Sequence, residues 1–234
     1  MALLCRYAWD VTIRLSREQS RDYDQRCVRL HGIPSIALMT HAAVECAAIL
    51  RSLVTNDSAQ VVALCGPGNN GGDGYAIVRT LHSWGVRAHA IEVAPPRSAS
   101  DAAVMHRAAA SLGLVAPTSA RAGLCAAPFV LVDAIFGTGL TTPAEGCELE
   151  AIQWINSHRA SAASVVSIDV PSGLDCDTGL PLGGADDAVR ATHTLTMVCE
   201  KQGFSAANSA GYLGKVTVVS IGGPPPARQN GAME

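Results

Sequence analysis

Short apolar runs alternate along this chain with segments of helical spacing, and that alternation narrows the possible folds more than any other feature. The runs "VVALCG" (61–66), "RAHAIEV" (87–93), "FVLVDAIFG" (129–137) and "SVVSIDVPSG" (164–173) are rich in β-branched residues. Between them lie "YAIVRTLHSWG" (75–85), "SDAAVMHRAAASLG" (100–113) and "LEAIQWINSH" (149–158), each reading as a helix. Two further strands, "ATHTLTMV" (191–198) and "GKVTVVSIG" (214–222), close the pattern. Strands that are apolar on both faces and separated by helices predict an α/β fold with a mostly parallel sheet covered on both sides. Two helices precede the alternation. The first, "LSREQSRDYDQRCVRLHGIP" (15–34), opens with a capping box of Ser16 and Gln19. The second, "SIALMTHAAVECAAILRSLV" (35–54), is more apolar.

Composition removes several function classes. The chain is 48% hydrophobic, with 17 basic against 20 acidic residues and a formal charge of -3. No nucleic-acid or anionic-membrane surface is expected from that balance. Eight scattered cysteines without a C-x-x-C pair argue against a zinc or thioredoxin-type site and suit small core residues in a reducing compartment. The start "MALLCRYAWDVTI" is too short an apolar run for a secretory signal. No stretch approaches the ~20 apolar residues of a membrane span. A soluble, cytoplasmic protein is expected, without excluding an organelle, and "GGPPPARQNGAME" (222–234) reads as a poorly ordered end.

Four apolar runs lead directly into polar, glycine-containing turns: "GPGNNGGDG", "DAIFGTGL", "DVPSGLD" and "EKQG". In a parallel sheet these turns share the carboxyl edge, where ligands bind. In the first, "CGPGNNGGDG" (65–74), five of ten residues are glycine. A ligand could approach its backbone, with the next helix offering its N-terminal N–H groups. It is not a Walker A loop, and its fit to G-x-G-x-x-G is of a kind common by chance. A plain glycine turn is the alternative, but Asn69, Asn70 and Asp73 add hydrogen-bonding side chains that such a turn does not need. Asp133 and Asp169 end buried strands, as structural anchors or as site residues. Asn70, Asp133 and Ser172 would together supply one carboxylate and two neutral oxygens, suited to an undemanding hard cation. Lys201, one of only two lysines, is either a surface partner of Glu200 or a cation facing substrate.

Taken in order and spacing, "GPGNNGGDGYAIVRTL", "VDAIFGTGL", "SIDVPSGLDCDTG" and "ADDAVRATHTLTMVCEKQGF" resemble the NAD(P)H-hydrate epimerase family, the YjeF N-terminal-type domain. The resemblance spans roughly residues 14–223, leaving 1–13 as an extension and 224–234 as a tail. It implies a Rossmann-like three-layer αβα sandwich, commonly a homodimer. It also implies epimerisation of hydrated NADH or NADPH (NADHX, NADPHX), with a separate dehydratase completing repair. One K+ per subunit would be held by Asn70, Asp133 and Ser172. Substrate contacts would match Asn69, Asn70, Gly71, Gly72 and Asp73, then Gly137, Thr138, Gly139, Leu140, Thr141, Thr142 and Pro143, and Asp169. Asp169 would handle the reacting proton, with Lys201 as a second acid/base or electrostatic partner.

Two departures stand out: "MTHAA" (39–43) where the family carries Met-Glu-Asn-Ala-Gly, and "GTGLTTP" (137–143) without the basic residue many members place there. The alternative is an inactive ligand-binding or interaction module on the same fold. A nicotinamide dehydrogenase is weaker, although Glu92 sits near the expected ribose-binding position, because the chain has little room for a second substrate domain.

Overall fold

The computed structural model describes residues 13–54, 59–120 and 128–226. The expected extension up to residue 12 and the end of the expected tail therefore lie outside the described residues, as do Cys5 and Cys125. The chain opens with β1 (Arg14–Leu15), α1 (Arg17–Arg29) and α2 (Ser35–Leu53). Next come β2 (Gln60–Cys65), α3 (Asn69–Ser83), β3 (Ala88–Glu92), α4 (Asp101–Ser111), β4 (Val115–Pro117) and β5 (Phe129–Ala134). The second half holds α5 (Gly146–His158), β6 (Ser164–Ile168), β7 (His193–Met197), β8 (Glu200–Lys201), α6 (Ala210–Leu213) and β9 (Lys215–Val219). The capping box forms as its residues dictate: Gln19 N–H donates to Ser16 Oγ at 3.2 Å, and Ser16 N–H to Gln19 Oε1 at 2.8 Å.

Seven strands pair in the order β4-β3-β2-β5-β6-β7-β9, and every pair is parallel. The chain thus winds outward from β2 to β4, returns beside β2 as β5, and winds the other way. Parallel crossovers are right-handed, so reversing the winding moves the connecting helix to the opposite face. Residues of β2 record both layers. Val61, Ala63 and Cys65 pack with residues of α2, α3 and α4, whereas Val62 and Leu64 pack with Ala151, Ile152 and Ile155 of α5. Period-two alternation in a strand apolar on both faces makes this three-layer sandwich.

Three elements had no clear signal in the sequence. Strand β4 is a three-residue edge, and β1 and β8 form a separate two-stranded pair with Leu15 opposite Lys201. Such short strands carry too few residues to show a period. Helix α2 also differs from expectation, being long and apolar enough by length and composition to cross a membrane. Here it is a core helix: Met39, Ala43, Cys46, Ala47 and Leu50 belong to the main apolar cluster. The six described cysteines are unpaired, and all but Cys147 are buried.

Candidate active site

Neighbouring strands whose connections leave in opposite directions open a crevice at their carboxyl ends. In this sheet the crevice lies between β2 and β5. The glycine-rich stretch is mostly not a loop: α3 begins at Asn69, not at Tyr75, with Gly68 as an extended N-cap. Its glycines permit close approach. A methyl group at Gly71 would overlap the Gly66 carbonyl, and one at Gly66 would overlap the Ile135 carbonyl. The first turn of α3 is pressed onto the sheet edge, carrying Asn70 and Asp73 into the protein at 7% exposure each.

Two strained turns lie beyond β5, on one side of the crevice. Asp169 has φ +67° and Val170 N–H donates to the Ile168 carbonyl at 2.9 Å; Val198 has φ +68° and Cys199 N–H donates to the Met197 carbonyl at 2.8 Å. Both are three-residue γ-turns of the rare, left-handed kind, at the ends of the adjacent strands β6 and β7. For a β-branched valine the conformation is especially unfavourable. Strain of this sort persists only where the surroundings over-determine it, typically at functional sites.

What the two turns accomplish is one contact: Lys201 Nζ lies 2.7 Å from Asp169 Oδ1. Lys201 is only 2% exposed, and its ammonium also donates to Thr196 Oγ1 (2.9 Å) and to the carbonyls of Met197 (2.9 Å) and Cys199 (3.2 Å). The other Asp169 oxygen accepts from Thr138 N–H at 3.3 Å. Glu200 is not its partner. That residue faces the other way along β8 and pairs with Arg14 at 3.1 Å.

Asp133 is fully buried at the end of β5. Its carboxylate accepts from the Ser172 hydroxyl, from Ser172 N–H and Ser167 Oγ (each 2.8 Å), and from Ile135 N–H at 3.3 Å. Burial raises its pKa, and these hydrogen bonds work against the rise. Asn70 offers the contrast: both polar atoms of its amide are buried and unpartnered. Buried amides of that kind are costly without a ligand. A methyl group at Gly137 would touch both this amide, 3.5 Å from Cγ, and Asp169 Oδ2 at 2.9 Å. The trio therefore fits a weakly hydrated monovalent cation: one carboxylate, a hydroxyl and an amide oxygen in need of a partner. No group of three or more His, Cys, Asp or Glu able to hold a metal ion occurs among the described residues.

Of the other expected contacts, Asn69, Asp73 and Thr138 line a cleft with Asp169 and Lys201. Gly72 instead packs on Met39 and Ala102, and Gly139, Thr141, Thr142 and Pro143 are exposed. Leu140 and its loop are held from beneath by Arg17. The guanidinium donates to the carbonyls of Thr138 (2.8 Å) and Leu140 (2.9 Å) and to Asp175 Oδ2 (2.6 Å). Burial acts to raise the Asp175 pKa, but Arg17 and the N–H groups of Asp177 and Thr178 outweigh it, and the net shift is downward. Arg17 and Asp175 were not singled out by sequence reasoning, nor was Asp24. The spacing of Ser20, Tyr23 and Asp24 on α1 held a usable signal, since helical neighbours at i+3 and i+4 share a face, and all three line the cleft. Burial at the cleft, then the Asp169 carboxylate, push Asp24 up to about 6, with Lys201 opposing. One side of Asp24 remains in water, which screens part of this effect.

A parallel sheet whose winding reverses at β2, with functional side chains gathered at that reversal, places the protein among doubly wound α/β proteins that bind a small molecule beyond their strand ends. More narrowly, the chain belongs to the family described as YjeF-related protein N-terminus, whose model matches residues 35–203. It is 35% identical over 206 residues to an NAD(P)H-hydrate epimerase of Limosilactobacillus reuteri, covering 88% of this chain and 94% of that one. It is 36% identical to the bifunctional NAD(P)H-hydrate repair enzyme Nnr of Salinibacter ruber, covering 86% of this chain but 39% of the relative. The fold matches the crystal structure of yeast ynu0 with a TM-score of 0.76 at 19% identity, over 93% of this chain and 97% of that one.

Proposed function

We propose that this protein is an NAD(P)HX epimerase, an isomerase that interconverts the two epimers of hydrated NADH or NADPH. The observation that carries this reading is the pairing of half-buried Asp169 with buried Lys201 at 2.7 Å, set by two strained turns in the cleft. An inactive module on the same fold would have no use for that strain. Relatives named as NAD(P)H-hydrate epimerases, matched over nearly their whole length, support it.

Water added to the enamine of a dihydronicotinamide places its hydroxyl on the carbon beside the ring nitrogen. The nitrogen lone pair can expel that hydroxyl, leaving a flat iminium to which water returns from either face. Asp169 takes the proton from the returning water, a role typically contributing about 10²–10⁴-fold. Lys201 has four acceptors for three N–H groups, so it has no proton directed at substrate. It positions Asp169 and balances its charge. Asn70, Asp133 and Ser172 would hold K+, which when bound would supply a fixed positive charge and a partner for the orphaned amide oxygen of Asn70.

We assign the companion dehydration to a partner activity, in keeping with a relative named as a bifunctional repair enzyme that extends well beyond the matched part. A homodimer is the expected working unit. Leu30, 67% exposed at the end of α1, and Val44, exposed on α2, offer it apolar surface. The test is a mixture of both NADHX epimers treated with an excess of an epimer-specific dehydratase. Alone, the dehydratase stops after its own epimer. Added protein is expected to make the remainder disappear rapidly, and no gain over the spontaneous rate would reject the reading.

A further inference from the structure

The cleft contains a second buried acid whose environment is the opposite of that of Asp169. Asp73, on the first turns of α3, is 7% exposed and lines the same cleft. Asp133 accepts from two hydroxyls and two backbone N–H groups, and Asp169 from Lys201 and Thr138. Among the described residues, none donates a hydrogen bond to Asp73. The charged groups sharing the cleft with it are Asp24 of α1, Asp101 of α4, Asp169 beyond β6 and Lys201, whose N–H groups are already committed. An acid so placed is buried and shares its cleft with three other carboxylates. A neutral carboxyl, able to donate into the cleft, suits that setting; an anion does not.

We propose that Asp73 is a second catalytic residue, the neutral acid that protonates the departing hydroxyl while Asp169 receives the proton of the returning water. This rests on the epimerase reading. In the forward step the Asp73 O–H proton passes to the hydroxyl oxygen, and the carbon–oxygen bond breaks with its electron pair leaving on water. The nitrogen lone pair forms the carbon–nitrogen double bond. Water then attacks the opposite face, its electron pair making the new carbon–oxygen bond while the double-bond pair returns to nitrogen, and its surplus proton moves to Asp169. Nothing is oxidised or reduced. One turnover leaves Asp73 ionised and Asp169 protonated, the arrangement that runs the reverse epimerisation, and proton exchange with cleft water resets it. Burial first, then Asp169 and Asp24, raise the Asp73 pKa well above the ordinary carboxylate range, in keeping with this role.

The experiment compares wild type, Asp73→Asn and Asp73→Glu in the coupled assay across pH, with NADPH binding and thermal unfolding as controls. Asparagine keeps the shape but has no proton to transfer. Asp73→Asn is expected to bind NADPH as wild type does and to lose about 10²-fold or more in kcat. It should also lack the alkaline decline that wild type shows as Asp73 ionises. If wild type is active and Asp73→Asn retains both its kcat and that alkaline limb, Asp73 is not the acid, although the epimerase reading survives. If Asp73→Asn does not fold, Asp73→Glu decides: a limb displaced to a new pH supports the proposal, and a limb at the wild-type pH overturns it. An inactive wild type removes the epimerase reading and this proposal together.

Discussion

At the scale of single residues, the site works by giving similar carboxyl groups different surroundings. Lys201→Met would leave Asp169 buried without its counter-charge, and losses of about 3–5 kcal/mol follow from breaking such pairs. Thermal unfolding should show the drop, together with loss of activity. Asp73 and Asp24 act on stability in the opposite sense. Their pKa values are raised in the fold, so the unfolded chain releases these protons at lower pH. Their contribution is intact below the ordinary carboxylate range and fades as pH rises above it, weakly for Asp24, whose exposed side is screened by water, and more fully for buried Asp73. Asp73→Asn is therefore expected to melt above wild type near neutral pH, with the advantage shrinking in acid. At Asn70, replacing K+ with Li+ in the assay should lower wild-type activity, and Asn70→Ala should need more K+ to reach its maximum. The carboxylates Asp133 and Asp169 were legible in the sequence because each ends an apolar strand. The partner of Asp169 was not, since it depends on the turn at Val198, and nothing in "TMVCEKQG" announces a valine at positive φ.

At the scale of elements, the capping box and the strand–helix alternation were readable because local chemistry decides them. The start of α3 was not. Glycine is a poor helix former, so "NNGGDG" reads as loop, and only packing against Gly66 and Ile135 explains why those residues are helical. Gly71→Ala is expected to push the first turn of α3 off the sheet, displacing Asn70 and Asp73. The cost should be about 1–3 kcal/mol in unfolding free energy and most of the activity. Arg17 ties α1 to the 137–140 loop, and that loop supplies the Thr138 N–H to Asp169. Lysine cannot reproduce a guanidinium spread over three acceptors. Arg17→Lys should misplace the loop slightly and reduce kcat/KM by up to about 10²-fold in steady-state kinetics, with a smaller change in melting temperature.

At the scale of the whole molecule, function follows from where the winding reverses. The site is drawn from the turns after β2, β5, β6 and β7, which parallel pairing delivers to one edge. That common placement could be inferred from sequence, because each turn follows an apolar strand. The contribution of α1, which closes the cleft with Tyr23 and Asp24, could not, because α1 precedes the alternating pattern and its polar face resembles any solvated helix. The measurement bearing most directly on the account is the coupled epimer assay run with Asp169→Asn. Asparagine tolerates positive φ at this position and keeps the side-chain shape, so the substitution removes the carboxylate, both as proton acceptor and as the charge opposite Lys201, without reshaping the turn. Asp169→Asn is expected to fold and to bind NADPH, with a melting temperature lowered by the unpaired Lys201 ammonium, yet to clear the residual epimer no faster than the spontaneous rate. A variant that clears it at the wild-type rate would contradict the account.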